Sequence, residues 1–276
     1  MKQFFIYIII AIGLTFVSCE EICTPIPPRV EAEAGRVILI EELTGVECVP
    51  CAAAAAILED IIVQADGAVV AYGVHGRFQS DPLPENKYDF RNPDAAELEG
   101  YLVEFGKPAA AINRSESSTG SFVWPTPGGW QAPVDAELSK PHIANVIISS
   151  MYNNATRRVD IEVDVNAIQD IEGVINLVVA ISESDLIDAQ DSPDGVIPDF
   201  KHKHVLREMV TTILGDPVAS AGLSAGEAID TKRYSYTIPA ENNGEWIPKN
   251  MEITAFITAE DRNGEVLQAA QIHIIE

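Results

Sequence analysis

The feature that most narrows the fold is an apolar strand-like run leading to two cysteines at the start of a helix-like run. Val37, Ile38, Leu39 and Ile40 are continuous and β-rich, which suits a strand buried on both faces of a sheet. Cys48, Val49, Pro50 and Cys51 follow a short acidic segment, and five alanines, Ala52 to Ala56, come directly after them. Alanine favours helix, and Ile57, Leu58, Ile61 and Ile62 supply one apolar face. The dithiol therefore sits at a strand-to-helix turn. Pro50 is tolerated there because first-turn amides have no helical partner. A second strand is expected at 67–74 and a polar, proline-punctuated loop at 76–92. A helix is expected at 93–105 with Asn92 as N-cap. Lys107 and Pro108 lead into the short apolar strand 109–112. A loop at 120–133 and a terminal helix at 134–138 complete the segment.

The thiolate is the nucleophile in disulfide exchange. Cys48, just before the helix, faces amide N–H groups and a dipole that favour negative charge, so it is the candidate attacking sulfur. Cys51, one turn in, is the candidate resolving thiol. A metal site would need further ligands, normally a second cysteine pair or a histidine pair, and that spacing is missing. The order strand, C-x-x-C, helix, strand, helix, proline, strand resembles the thioredoxin fold. The resemblance implies that Glu42 occupies the place of a buried acid assisting the second cysteine. It also implies that Pro108 is the cis-proline beside the dithiol. An exposed strand-end carboxylate is the competing reading of Glu42. The C-V-P-C tetrad itself resembles that of membrane-tethered thiol reductases. Two residues depart from the family pattern. Glu47, beside the first cysteine, would raise the thiol's pKa. Lys107, before the proline, would favour the thiolate.

The first residues are an address. Lys2 is the only charge before Glu20, and the apolar stretch from Phe4 to Val17 is too short to span a bilayer as a helix. It ends in Ser18-Cys19, which resembles the lipobox of bacterial lipoproteins, so residues 1–18 are expected to be a lipoprotein signal peptide and Cys19 the lipidated residue. Residues 19–35, with Pro25, Pro27 and Pro28, look like a tether, and Cys23 on it has no defined partner. The protein would then work outside the cytoplasm, where disulfides persist. Lys and Arg number 18 against 42 Asp and Glu, a formal net charge of -24. Such a surface repels phosphate backbones, so nucleic acid is excluded as a partner. It is repelled by anionic membrane surfaces as well, so membrane contact is expected through the lipid alone. His75 ends an apolar strand and reads as a structural histidine.

From about residue 141 the pattern changes. Seven candidate strands are expected at 142–150, 157–167, 174–182, 201–213, 232–238, 251–259 and 266–275. Val159, Ile161, Val163 and Val165 alternate with Asp160, Glu162 and Asp164. Turn residues separate the strands at Asn153-Asn154, Glu172-Gly173, Asn242 to Gly244 and Asn263-Gly264. Short strands without a helical pattern suggest an immunoglobulin-like sandwich. His202 and His204 are expected on one strand face, with structural or surface roles. The aspartate-rich stretch Asp185 to Asp199 is expected as a solvated loop rather than a calcium site.

The lipobox, the dithiol, the strand ending Ile112-Asn113-Arg114, Gln190 and the run Asp199 to Arg207 resemble, in this order, the outer membrane protein twenty-eight family of Gram-negative lipoproteins. That resemblance spans nearly the whole mature chain. It implies an α/β thioredoxin-like domain at 36–140 followed by an all-β immunoglobulin-like sandwich at 141–276, anchored at the outer membrane. It supplies no reaction. Two functions stay open: a thiol–disulfide oxidoreductase acting on protein thiols and disulfides without a further cofactor, or a surface binding or adhesion lipoprotein whose C-x-x-C is a structural disulfide. A soluble-ligand capture protein using the 76–92 loop or the Trp124/Trp130 loop is a third expectation, which exposed aromatics around a concave pocket would support.

Overall fold

The computed structural model describes residues 35–102, 106–117, 119–240, 245–262 and 264–275. The signal peptide, Cys19, Cys23, nearly all of the tether and the turn positions 242–244 and 263 lie outside the described residues. No helix among the described residues is long and apolar enough to cross a membrane.

The first segment follows the expected order. Strand β1 (Ile38–Thr44) is buried along its whole length. Helix α1 (Cys51–Ala65) follows the dithiol turn, with Pro50 at its N-cap. Strand β2 (Val69–His75) pairs parallel to β1, which puts Gly73 opposite Glu42. Helix α2 (Pro93–Leu102) begins where Asn92 Oδ1 accepts the Ala95 N–H at 2.7 Å, the expected cap. Strand β3 (Ala109–Ile112) runs antiparallel to β1 with Ala110 opposite Glu42. The Lys107–Pro108 peptide is cis. Strand β4 (Val123–Trp124), in the stretch expected as loop, extends the sheet beyond β3. Helix α3 (Gln131–Leu138) closes the segment.

The second segment is all-β. Its strands are β5 (Ala144–Asn153), β6 (Arg158–Ala167), β7 (Ile175–Glu183), β8 (Leu186–Gln190), β9 (Ile197–His202), β10 (Val205–Met209), β11 (Asp216–Ala219), β12 (Lys232–Thr237), β13 (Met251–Ala259) and β14 (Val266–His273). Strands β12, β6 and β5 form one sheet. Its inward residues Val159, Ile161, Val163 and Val165 bury against Leu177, Val179, Ile253 and Ala255 of β7 and β13, so period-2 alternation marks a half-solvated sheet packed on another.

The second layer is not confined to this segment. Among the described residues a nine-stranded sheet runs β14-β13-β7-β10-β2-β1-β3-β4, with β11 paired to β7. It crosses between the segments at one parallel bridge, Val205 opposite Gly73. The Gly73 N–H donates to His204 O there at 2.6 Å. One apolar core is shared across the seam: Leu39, Tyr72 and Leu98 pack with Val178, Leu206 and Phe256. Buried charges cross it as well. Arg114 donates to Glu41 Oε2 and Oε1 at 2.9 and 2.8 Å and reaches Ile213 O at 3.3 Å. The Tyr72 hydroxyl donates to Glu41 Oε1 at 2.6 Å.

Two expectations are corrected. The run 201–213 is not one strand, because His204 takes a left-handed backbone (φ 56°) that breaks β9 from β10. His202 at the end of β9 and His204 in the break therefore lie in different surroundings rather than on one face. The stretch 185–199 is not loop throughout, since β8 and β9 form an antiparallel hairpin around the exposed turn 193–196. Asp188 is fully buried, because its carboxylate accepts the N–H groups of Lys87, Tyr88 and Ala189 at 2.9–3.1 Å. An aspartate tied to backbone amides reads as loop by composition and folds as interior.

Candidate functional site

The turn carrying the dithiol is built from backbone. The Cys48 N–H donates to Gly45 O at 3.1 Å and the Cys51 N–H to Cys48 O at 3.0 Å. Gly45 is required, since a Cβ there would lie 2.1 Å from Gln79 O. Cys48 and Cys51 form a disulfide with Cα atoms 5.3 Å apart. Both cysteines are buried, at 0% and 1% exposure, while Val49 between them is 37% exposed.

The β8–β9 hairpin supplies the cover. Gln190 Nε2 donates to Cys48 O at 3.1 Å and to Gly45 O at 3.2 Å. The Asp191 N–H donates to Val46 O at 2.8 Å. Asn86 of the 76–92 loop donates to Ala189 O at 2.8 Å, so loop and hairpin clasp each other over the turn. Val46 packs with Tyr88, Phe90, Leu186 and Val205 beneath them. His202 lies tilted against Phe90 and edge-on to Phe200, and His75 stands edge-on to Phe90. Burial drives His75 well below the ordinary histidine value and His202 down to about 4. Both are neutral interior rings, as structural histidines are.

Glu42 is 5% exposed, which removes the exposed strand-end reading. Alternation along β1 puts it on the face of Ile38 and Ile40, which pack under α1 against Ala54 and Leu58. Its cross-strand neighbours, Gly73 and Ala110, offer no polar side chain, and Glu42 Oε1 has no hydrogen-bond partner among the described residues. Burial raises its pKa to about 7, a rise that the His204 charge opposes and Glu59 reinforces.

The two departures from the thioredoxin pattern are occupied elsewhere. Glu47 Oε2 accepts the Asp81 N–H at 3.2 Å. Lys107 Nζ pairs with Glu99 Oε1 at 2.7 Å and donates to Phe78 O and Ser80 Oγ at 2.7 and 2.9 Å. Both side chains thus pin the 76–92 loop.

Sequence reasoning missed a second cluster. His204 Nε2 lies 3.0 Å from Glu59 Oε1 on α1, and Nδ1 lies 3.5 Å from Glu252 Oε2 on β13. Burial alone would lower His204, but these two carboxylates raise it to about 9. His204 and Glu59 are 145 positions apart, and no local pattern joins them. Gln190 was legible only through the family resemblance. Among the described residues no three His, Cys, Asp or Glu side chains are grouped to hold a metal ion. Trp130 is fully buried and donates to Trp124 O at 2.8 Å. The expected exposed aromatic pair is therefore absent, although Trp124 lines a cleft of about 580 Å³ with Phe122 and Arg262.

Fold and site define a mixed α/β protein, rich in sheet, with a covered disulfide at a helix start. The chain belongs to the family described as Outer membrane protein Omp28, whose model matches residues 96–276. That membership sets it at the outer membrane. The match includes Pro108, Gln190 and His204, while Glu42, Cys48 and Cys51 precede it. Among solved structures, HBP35 of Porphyromonas gingivalis is similar at TM-score 0.68 and 14% identity, over 87% of this chain and 76% of that one. A protein from Agrobacterium tumefaciens is similar at TM-score 0.50 and 15% identity, over 89% and 97%. A domain of the outer membrane lipoprotein Omp28 from Porphyromonas gingivalis matches 49% of this chain and 90% of its own at TM-score 0.34 and 16% identity. For the first two, at these identities, the likeness is one of fold. No curated protein sequence matches the chain.

Proposed function

We propose that the protein is a lipoprotein, anchored through Cys19, that exchanges disulfides with protein substrates at Cys48 and Cys51. In this reading residues 36–140 are a thioredoxin-like domain and 141–276 an immunoglobulin-like sandwich. The observation that carries it is Glu42: a carboxyl buried without a partner costs stability, and such groups concentrate where a proton must be moved.

In the reducing direction the Cys48 thiolate, favoured by the dipole at the start of α1, attacks a substrate disulfide. The distal substrate sulfur leaves as a thiolate, and a mixed disulfide remains. Cys51 gives its thiol proton to the Glu42 carboxylate and attacks Cys48 Sγ. The Cys48–substrate bond breaks and the second substrate sulfur leaves. The substrate gains two electrons and the Cys48–Cys51 pair loses them. Oxidation of a substrate dithiol follows the same steps in reverse.

The test is the reduction potential of the pair against a glutathione buffer, with Cys51→Ala used to trap mixed disulfides. A potential in the range of known exchange catalysts, about −120 to −270 mV, with trapped partners is expected. A second reading is favoured by the full burial of Cys48 beneath Gln190: the disulfide is a staple and the molecule a surface binding protein. A potential below about −300 mV with no trapped partner would establish that reading instead. For the anchor, Cys19→Ala should move the protein from the detergent-soluble membrane fraction to the aqueous one.

A further inference from the structure

We propose that His204, reaching across from the second segment, is a positioning residue for Glu42: its imidazolium charge stabilises the Glu42 carboxylate that receives the Cys51 proton. The inference rests on the exchange reaction proposed above and adds a partner for its base.

The geometry begins at Gly73, the one residue standing between β1 and β10 at this level of the sheet. A Cβ built there would lie 3.9 Å from Glu42 Oε2 and 3.7 Å from His204 O. Both residues thus border the space that a side chain at 73 would fill. His204 is fixed at that border. Its carbonyl accepts the Gly73 N–H, and its own N–H donates to Ser184 Oγ at 2.9 Å. Its ring is held between carboxylates on two elements, Glu59 of α1 and Glu252 of β13. Two acids on one imidazole keep it charged at neutral pH.

The charged groups around Glu42 come from every element packed near it. Glu59 of α1 and His204 are the two charges that act on it, His204 the more strongly. Lys203, next to His204, is paired with Glu59. Glu252 lies behind the imidazole and reaches His273 at the surface, 4.0 Å away. On its own strand, Glu41 points to the opposite face and is held by Arg114. The cation that acts on Glu42 is therefore His204, and the like charge is Glu59. Without His204 the buried carboxyl would hold its proton to higher pH, and a smaller fraction of it would be free to take a proton from Cys51.

The test follows the Glu42 carboxyl by carbon-13 NMR in the full mature chain, together with the pH profile of mixed-disulfide resolution by Cys51. His204→Asn removes the charge and tolerates the left-handed backbone. The Glu42 midpoint should rise by about one pH unit, and the resolution profile should move with it. His204→Lys, which restores a cation, should bring both back toward the wild-type position. An unmoved midpoint in His204→Asn, or equal shifts in the two variants, overturns the proposal. A second measurement needs no His204 variant. In the wild-type chain the His204 ring resonances should show a step near pH 7 that Glu42→Gln abolishes, and its persistence in Glu42→Gln would also overturn the proposal. Failure of the exchange reaction is read separately: a shifted midpoint without trapped partners removes the reaction and leaves the His204–Glu42 coupling standing.

Discussion

Glu41 and Glu42 are adjacent carboxyls on one buried strand, and alternation sends them to opposite faces with opposite fates. Glu41 meets Arg114 and Tyr72, so its charge is matched inside the protein. For Arg114, burial works against the charge, yet Glu41 more than compensates and raises its pKa. Arg114→Met should strand Glu41 and cost about 3–5 kcal/mol in urea unfolding. Glu41→Leu combined with Arg114→Met should cost much less, because no charge is left uncompensated. Glu42 has no such partner. Its folded pKa, about 7, stands above the ordinary glutamate value of 4.5. The folded state therefore holds its proton more tightly, and the stabilisation is complete below pH 4.5 and lost as pH rises through 7. Glu42→Gln should flatten stability between these values, removing a slope worth about 3 kcal/mol. A slope unchanged in the variant would show that another group titrates there. The position of Glu42 was readable from its spacing to Cys48. Its environment was not, because Gly73 and His204 are set by pairings distant in sequence.

At the scale of elements, the β8–β9 hairpin decides how the dithiol meets solvent. Its grip on the turn is a few hydrogen bonds from Gln190 and Asp191, each worth about 1 kcal/mol. Gln190→Ala should raise the rate of Cys48–Cys51 reduction by a phosphine roughly 5–30-fold, the effect of loosening the cover by 1–2 kcal/mol. An unchanged rate would mean that the hairpin is not the barrier. The hairpin also carries an acid-sensitive ring. His202 is held near 4 by burial, so its contribution is present above pH 6.5 and lost as pH falls through 4. Phosphine reduction should accelerate over that range, and His202→Phe should remove the acceleration. This hairpin was the least legible element. Five aspartates with proline and glycine describe a solvated loop, and nothing local reveals that Asp188 will be capped by the amides of residues 87 and 88. The helices were legible because alanine content and the Asn92 cap act locally. So were β5, β6 and β12, where one wet face enforces alternation.

At the scale of the whole molecule, the sheet gives both segments a shared interior. Leu39 and Tyr72 pack in the same core as Val178 and Phe256, so calorimetry of the oxidised chain should show one cooperative transition; two separated transitions would contradict this. The change of hydrophobic period near residue 141 was plain in the sequence, but the joining of the sheets was not, since it depends on one bridge between Val205 and Gly73. That bridge has a consequence for how such a chain can be recombined. A graft carrying residues 36–140 onto a foreign sandwich would leave the Gly73 amide without its acceptor and the neighbouring acid without its imidazole. The two halves form a matched set, because the residue that closes the backbone seam at Gly73 is also the one whose ring is held by Glu59 of α1.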